Sequence, residues 1–584
     1  MWGKEMQSKI GIRWKIVGLF VGCSLLWTTL LDGCGGDVPV SNESVETGAE
    51  ETDIAGKTDA ELSEEELEAL AHGEVRLNAK ELAEYISDCS LRYEEMQGQM
   101  TYSLSMPQIP ESDDAYLYLF ASRCYEEKLS GEPAAFGLKG RKCEVSIPYE
   151  KEYLFKQFIP ALLVDGKYVP LGSGIYLSNP EALAKNKEAY PVIESKKGLL
   201  LDPTMLGTQE FADLGVKHAI YNIPLSSIMG ETTNEEYPTI EYVYCGTSYD
   251  FNGSAIAGYD GLFSYLTAMG MCSTAIVLND WNEEYLEMIH PEARNKNSDA
   301  PYYMFNTAEE EGEKELEAVA MFLAERYSGG EHGMVHNWVI ANEINQHKEW
   351  NYMDTEDLVY YAEEFEKAFR IFYQAAKSVY SDAKVYFSID HDWNSNRGDN
   401  STYFNARDLL AAFNEAAVNH GNYDWGIAIH PYPDPLSRVN YWSQEYDKTQ
   451  DAETLTIMNL SVLTDCLKQE KYLNAEGNVR DIAITELGFS SLSGEKLQAA
   501  AVAYCYYIVE ANPYIDAFIM NRQTDAPEEV MFGLAFGIYE YDHSQKFLKE
   551  VYQYIDTDRA EEYTGFMLNI LKADSLEEAL SWAE

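Results

Sequence analysis

Two glutamates stand where apolar runs stop. In "WVIANEIN" (338–345) the run ends on Asn342-Glu343, and in "IAITELGF" (482–489) it closes on Glu486. A carboxylate is costly to bury unless it is paired, hydrogen-bonded or put to use. Asparagine and aspartate at strand ends explain themselves as turn formers; glutamate does not. Two opposed carboxyl groups can cleave a glycosidic bond. One protonates the leaving oxygen, and the other attacks the anomeric carbon when the pair is about 5–5.5 Å apart, or activates water when it is about 6.5–9.5 Å apart. No cofactor is needed for this. The sequence also offers no His-Glu-x-x-His run and no Cys-x-x-Cys pair, so no metal site is expected.

The elements that would bring these groups together read as strand then helix, repeated from residue 201 to 584. Expected strands are "VKHAIYNIPL" (216–225), "STAIVLN" (273–279), "YYMFN" (302–306), "NWVIANEIN" (337–345), "KVYFSID" (384–390), "DWGIAIHPY" (424–432), "IAITELGF" and "DAFIMNRQ" (516–523). Between them, stretches such as "EGEKELEAVAMFLAERY" and "EKLQAAAVAYCYYIVEAN" repeat apolar residues at three and four, as helices covering a sheet do. Strands apolar on both faces and alternating with helices imply a parallel sheet. Eight such units fit an α/β (β/α)8 barrel, whose active site lies at the C-terminal strand ends. An open doubly wound sheet competes, but it gives no reason for a polar residue at the end of nearly every strand. On the barrel reading, Glu343 and Glu486 are the catalytic pair. Asn342 binds a sugar hydroxyl, and His430 or Tyr432 orients the ionised nucleophile while lining the substrate site. Trp393, or Trp281, supplies a sugar platform. Asn222 and Arg522 add polar contacts. His347 and Glu349 read as a solvated loop.

"WVIANEI" followed by "IAITELGF" resembles the large clan of retaining (β/α)8 glycoside hydrolases, including uncharacterised barrels of bacterial surfaces and secretomes. "HPY" (430–432) and "FGIYEYDHSQKF" (536–547) are similar to the clan as well. The resemblance spans roughly residues 205 to 560. It implies that Asn342-Glu343 ends strand four with Glu343 as acid/base, and that Glu486 ends strand seven as nucleophile. Two features depart from the clan. "STAIVLNDWN" lacks an arginine after strand two, and strand eight carries "FIMNRQTD" in place of a tryptophan. The subfamily, and with it the sugar, stays open.

Residues 73–200 look different. Short runs rich in Tyr, Val, Ile and Leu are bounded by Gly, Pro and Asp, with a turn expected at Asp165-Gly166. That is the pattern of a small antiparallel, sandwich-like domain. Ahead of it, basic residues precede "IVGLFVGCSLLWTTLL" and then "LLDGCGG". A basic segment followed by a short apolar one reads as a secretory signal. Residues 1–34 resemble a lipoprotein signal with Cys34 as the lipidated residue, and an uncleaved anchor or a secreted protein is the alternative. Residues 35–72 are acidic and polar and read as a flexible tether, whose end "ELSEEELEAL" can form a short helix.

The chain carries 98 acids against 43 bases, a formal charge of −55. Such a surface repels nucleic acid and anionic lipid. The seven cysteines after Cys34 show no metal spacing and read as scattered core thiols. Together these features predict an extracytoplasmic, membrane-anchored protein with a carbohydrate substrate. A non-catalytic glycan-binding lipoprotein on the same barrel is the rival reading.

Overall fold

The computed structural model describes residues 62–583 apart from 87 and 127. The signal, Cys34 and most of the tether lie outside the described residues. The tether's last part is a helix, Glu64–His72, started by a reciprocal cap between Ser63 and Glu66. It rests on the first sheets: Lys139 Nζ donates to the carbonyl of Ala71 at 3.2 Å and to that of Pro110 at 2.9 Å.

Seven strands follow: β1 (Asp88–Glu94), β2 (Gln99–Ser105), β3 (Tyr116–Ser122), β4 (Ala135–Leu138), β5 (Lys142–Pro148), β6 (Gln157–Val164) and β7 (Lys167–Pro170). They form two antiparallel sheets, ordered β1-β2-β5 and β4-β3-β6-β7. Burial alternates along β2 and β5, as expected where one face is packed and the other wet. Val164 pairs with Lys167, and the intervening Asp165 and Gly166 have φ of 50° and 70°. That is the two-residue turn matching strand twist.

The remaining chain closes a parallel barrel from β8 (Lys197–Leu200), β9 (His218–Pro224), β12 (Cys272–Leu278), β13 (Asn337–Ile340), β14 (Lys384–Ile389), β15 (Trp425–Ile429), β16 (Ile482–Leu487) and β17 (Ile515–Met520). A hairpin of β10 (Ile240–Tyr244) and β11 (Thr247–Phe251) decorates the loop after β9. One expected strand is corrected. "YYMFN" (302–306) lies in the loop after β12, where Tyr302 makes a single bridge to Asp280 and Phe305 one to Ile289. Its apolar residues are buried against that loop, not in the barrel wall. The first barrel strand is instead "KGLL", inside the span read as β-rich. Four residues are too few to show a period, and Gly198 dilutes the apolar signal. One strand is lost and one gained ahead of it, so β13 and β16 remain the fourth and seventh.

Ile220, Ile276, Val339, Tyr386, Ala428, Ala483, Ala517 and Ile519 pack together as the barrel's interior. Below them Lys384 bridges Asp481 at 3.0 Å and Asp516 at 2.8 Å, with its ammonium 4.7 Å from the ring centre of Tyr190. The helices Glu310–Arg326, Leu358–Val379, Ala406–Asn419 and Glu495–Ala511 cover the outside. The antiparallel domain is tied to the first of these. Arg123, just past β3, reaches Glu317 at 2.5 Å and Glu313 at 3.8 Å, both carboxylates wholly buried. All seven described cysteines are free; Cys245 is exposed, so not every thiol is in the core. Among the described residues, no helix is long and apolar enough to cross a membrane.

Candidate active site

Strand register decides which side chains reach the mouth. Ile220, Val339, Tyr386, Ala428, Ala483 and Ile519 face inward, and successive strand residues alternate sides. Counting by twos toward the C-terminal ends gives Asn222, Ala341 then Glu343, Ser388 then Asp390, His430 then Tyr432, Thr485, and Asn521. Glu486 joins them at a register shift between Ile484 and Leu487. A bulge of this kind re-aims a side chain.

The end of β13 is bent sharply. Ala341 and Glu343 have φ of 63° and 39°, a left-handed backbone that costs a non-glycine residue about 1–3 kcal/mol. The surroundings hold it there. The N–H of Ala341 donates to Val277 O at 3.0 Å, that of Glu343 to Ser388 Oγ at 2.8 Å, and that of Ile344 to Ser388 O at 2.9 Å. The bend turns Glu343 over the barrel axis.

There Glu343 Oε1 is hydrogen-bonded to His430 Nδ1 at 2.8 Å, and Oε2 accepts from Gln346 Nε2 at 3.0 Å. Gln346 also donates to Asp390, which Asn345 holds from the other side. His430 Nε2 meets Thr485 Oγ1 at 3.1 Å. Glu486 Oε1 accepts from Tyr432 Oη at 2.9 Å and from Asn521 Nδ2 at 3.0 Å. His430 Nδ1 lies 3.9 Å from Glu486 Oε2. The two carboxylates therefore flank one imidazole, and the facing oxygens lie within about 7 Å of each other, a bound met by the retaining spacing of about 5–5.5 Å and by the short end of the inverting one, about 6.5 Å.

The environments of the two acids differ. The Glu343 side chain is 11% exposed and that of Glu486 33%. Burial pushes the Glu343 carboxyl above its usual range. The bond to His430 pulls it down, and the charges of Asp390 and Glu486 push it up again. Burial alone would lower His430, but the charge of Glu486 and the bond to Glu343 raise it overall. Burial and the nearby Glu486 hold the Tyr432 phenol well above its ordinary value, so it stays a donor.

The structure places the other expected residues unevenly. Asn342 is half-buried beside Glu343. Asn222 points inward from the second strand, with Oδ1 buried and unpartnered among the described residues. His430 is 1% exposed and spent on Glu343 and Thr485; it positions the acid rather than lining a substrate surface. Tyr432 is the residue that holds Glu486. Trp393 is a correction: it is 0% exposed and part of the main core, so it offers no face to a sugar. The strand-end position drew attention to it, but the loop beyond β14 folds inward there, with the Trp393 N–H on Glu453 O. His347 is likewise buried, stacked on Phe404 at 3.9 Å, and not on a solvated loop. Arg522 is paired with Glu529 at 3.0 Å, and burial lifts the Glu529 carboxyl to about 7.

Several contributors were missed. Ser388 and Thr485 are on the inward register and could have been counted from it; Asn521 is legible as the polar end of "DAFIMNRQ". Gln346 lies past the strand and carried no signal. Half-buried Tyr302, whose phenol is raised by burial and then by Asp280 and Glu486, sits beside Trp350 with ring centres 6.3 Å apart. Trp281, the other expected platform, is half-buried and packs on Tyr303 with ring centres 5.3 Å apart. Among the described residues, no cluster of His, Cys, Asp and Glu is arranged to hold a metal.

Solved structures similar to this chain include a family 39 glycoside hydrolase from Bacteroides cellulosilyticus WH2, at 14% identity and a TM-score of 0.42, covering 76% of this chain and 77% of that one. A β-glucuronidase from an uncultured Clostridium sp. matches at 12% identity and a TM-score of 0.32, over 80% of this chain and 68% of the other. The GH53 catalytic domain of Ignisphaera aggregans matches at 11% and 0.39, over 64% and 99%. No curated protein sequence matches. Residues 189–579 match the family described as a family of unknown function, DUF5722, and the chain belongs to that family.

Proposed function

We propose that this member of the family is a glycoside hydrolase that cleaves a poly- or oligosaccharide with retention, by double displacement. The observation that carries the reading is the meeting of Glu343 and Glu486 across His430 at the mouth of the closed barrel. Glu343 is the acid/base: its burial favours the protonated form needed when the leaving group departs. Glu486 is the nucleophile. It is the more exposed of the two, and the Tyr432 hydroxyl and the Asn521 amide donate to the same oxygen and fix its orientation. Attack by Glu486 forms a glycosyl ester as Glu343 gives its proton to the leaving oxygen. Once Glu486 is an uncharged ester, its push on Glu343 disappears, and Glu343 takes a proton from water attacking the same carbon. No cofactor enters.

The test is a panel of glycans and activated aryl glycosides with the wild type and two variants. Glu486→Gln is expected to lose the covalent intermediate. Glu343→Ala is expected to glycosylate with good leaving groups, stall, and recover with added azide, giving a product of retained configuration. Azide on Glu486→Ala is expected to give the opposite anomer or nothing. Rescues in the reverse pattern would exchange the roles. Wild type that binds a glycan and turns over none would favour the non-catalytic binder. The same reading holds the enzyme at the cell surface through a lipid on Cys34. Cys34→Ser is expected to release the protein or leave an uncleaved precursor, and wild type found entirely in the medium would remove the anchor.

A further inference from the structure

A second opening lies to one side of the mouth. The loop after β15 and the C-terminal helices Phe566–Leu571 and Leu576–Ser581 enclose a cleft of ≈ 790 Å³ lined by Trp442, Tyr446, Trp582, Asn440, Gln444 and Lys448. That volume is in the range of small-molecule sites, about 300–1,000 Å³. Its two indoles come from points far apart in sequence, yet both lean edge-on against the same buried ring. Trp442 is 6.2 Å from Tyr504 at 80°, and Trp582 is 6.4 Å from it at 77°. Both indoles stay half-exposed, as does Tyr446, whose hydroxyl is fixed on the carbonyl of Tyr441 at 2.9 Å. Lys448 Nζ, donating to Trp582 O at 2.7 Å, ties the loop to the last helix. The lining is therefore held in place before anything binds, which keeps the ordering cost of binding low.

The cleft is also tied to the catalytic end of the barrel. Tyr441, adjacent to Trp442, stacks on Phe489 with ring centres 4.9 Å apart and 23° between planes. Phe489 is three residues beyond Glu486. One layer of aromatic packing thus separates the cleft from the strand end that carries the nucleophile.

From this we infer that the cleft is a second glycan-binding site, which holds a distant part of the same neutral polysaccharide that the mouth cleaves. The inference rests on the glycosidase reading for the identity of the polymer. A sugar ring has an apolar face edged by hydroxyls. Flat amphipathic side chains match the face; the Asn440 amide donates to and accepts from hydroxyls, while the Gln444 amide, whose oxygen is held by the Arg438 guanidinium, donates, as does the Lys448 ammonium. A neutral chain is the occupant: the lining's own charges, Lys448 and Lys572 against Glu445, nearly cancel, and a protein with a net charge of −55 repels a polyanion.

The experiment separates binding from turnover. Full-length protein carrying Glu486→Gln is run through gels containing glucan, mannan, xylan or galactan, with polygalacturonate as the anionic probe. Retention by at least one neutral polymer is expected. Trp442→Ala and Trp582→Ala are each expected to weaken it about tenfold, as truncating an anchoring aromatic does. Ser443→Arg, which fills the cleft from an exposed lining position and removes only the exposed hydrogen bond from Ser443 Oγ to Asn440 O, should do the same. In the otherwise wild-type enzyme these changes are expected to raise KM on the polymer and leave cleavage of a small aryl glycoside unchanged. Undiminished retention in all three variants would overturn the site. So would retention by polygalacturonate alone, or by none of the polymers. Absence of aryl glycoside turnover in wild type would instead count against the glycosidase reading, with the gels still deciding the cleft.

Discussion

At the scale of single residues, the proposed mechanism has the pair Glu343–His430 set the pH range of the chemistry. The acid step needs Glu343 protonated, so kcat/KM falls as pH rises through its pKa. Burial raises that pKa, and His430 holds it down by a 2.8 Å hydrogen bond and by charge. Removing the imidazole therefore frees the carboxyl to rise further. In His430→Asn the alkaline limb of the kcat/KM profile is expected to move to higher pH. A limb that moves to lower pH would show that His430 does not hold the Glu343 carboxyl down, and a limb that vanishes would assign it to His430 itself.

At the scale of elements, the site depends on how closely two strand ends approach. Gly488 follows β16. A Cβ added there would lie 2.1 Å from Asn521 O and 2.8 Å from the Phe536 ring. The absent side chain lets the end of β17 close on the end of β16, and this puts the Asn521 amide on Glu486. Gly488→Ala must push the ends apart. Overpacking of this kind costs about 1–3 kcal/mol, and a misplacement near 1 Å is worth about 10²-fold in rate. A fall in kcat of that order is expected, with a smaller change in KM. Unchanged kcat would mean that the Asn521–Glu486 contact does not matter to the chemistry. The bent end of β13 works in the opposite sense: there the surroundings hold strained residues in place, and the strain aims Glu343.

At the scale of the molecule, the antiparallel domain and the barrel share a buried ion cluster. Arg123 faces Glu313 and Glu317, and burial, opposed by Arg123, still lifts the Glu317 carboxyl to about 8. Breaking a buried pair by deleting one partner costs about 3–5 kcal/mol when the other is left charged. A carboxyl with a raised folded pKa favours the fold while protonated, and that advantage is lost as pH rises through the folded value. Arg123→Ala is therefore expected to destabilise by about 3 kcal/mol near pH 9, and by distinctly less near pH 6, where Glu317 is already protonated. Urea midpoints at the two pH values measure it. An equal loss at both would assign the effect to lost packing rather than charge.

The sequence by itself determined the barrel, the order of its later strands and the placement of Glu343 and Glu486 at strand ends. These are local signals: apolar runs long enough to show a wall, helices with a repeating apolar face, and glutamates where no turn former was needed. It also indicated the Asp165-Gly166 turn, since such a turn requires residues tolerant of positive φ. Tertiary structure decided the rest. "KGLL" is a barrel strand because β9 and β17 leave a gap that it fills, and nothing in four residues announces that. Trp393 is core because the loop beyond β14 folds inward, although its position after a strand resembles that of a site residue. His430 serves Glu343 and Tyr432 serves Glu486, an allocation that two residues on one strand end could have made either way. It was settled by the bend at Glu343, which carries one carboxylate over His430, and by the close approach at Gly488, which brings the Asn521 amide to the other.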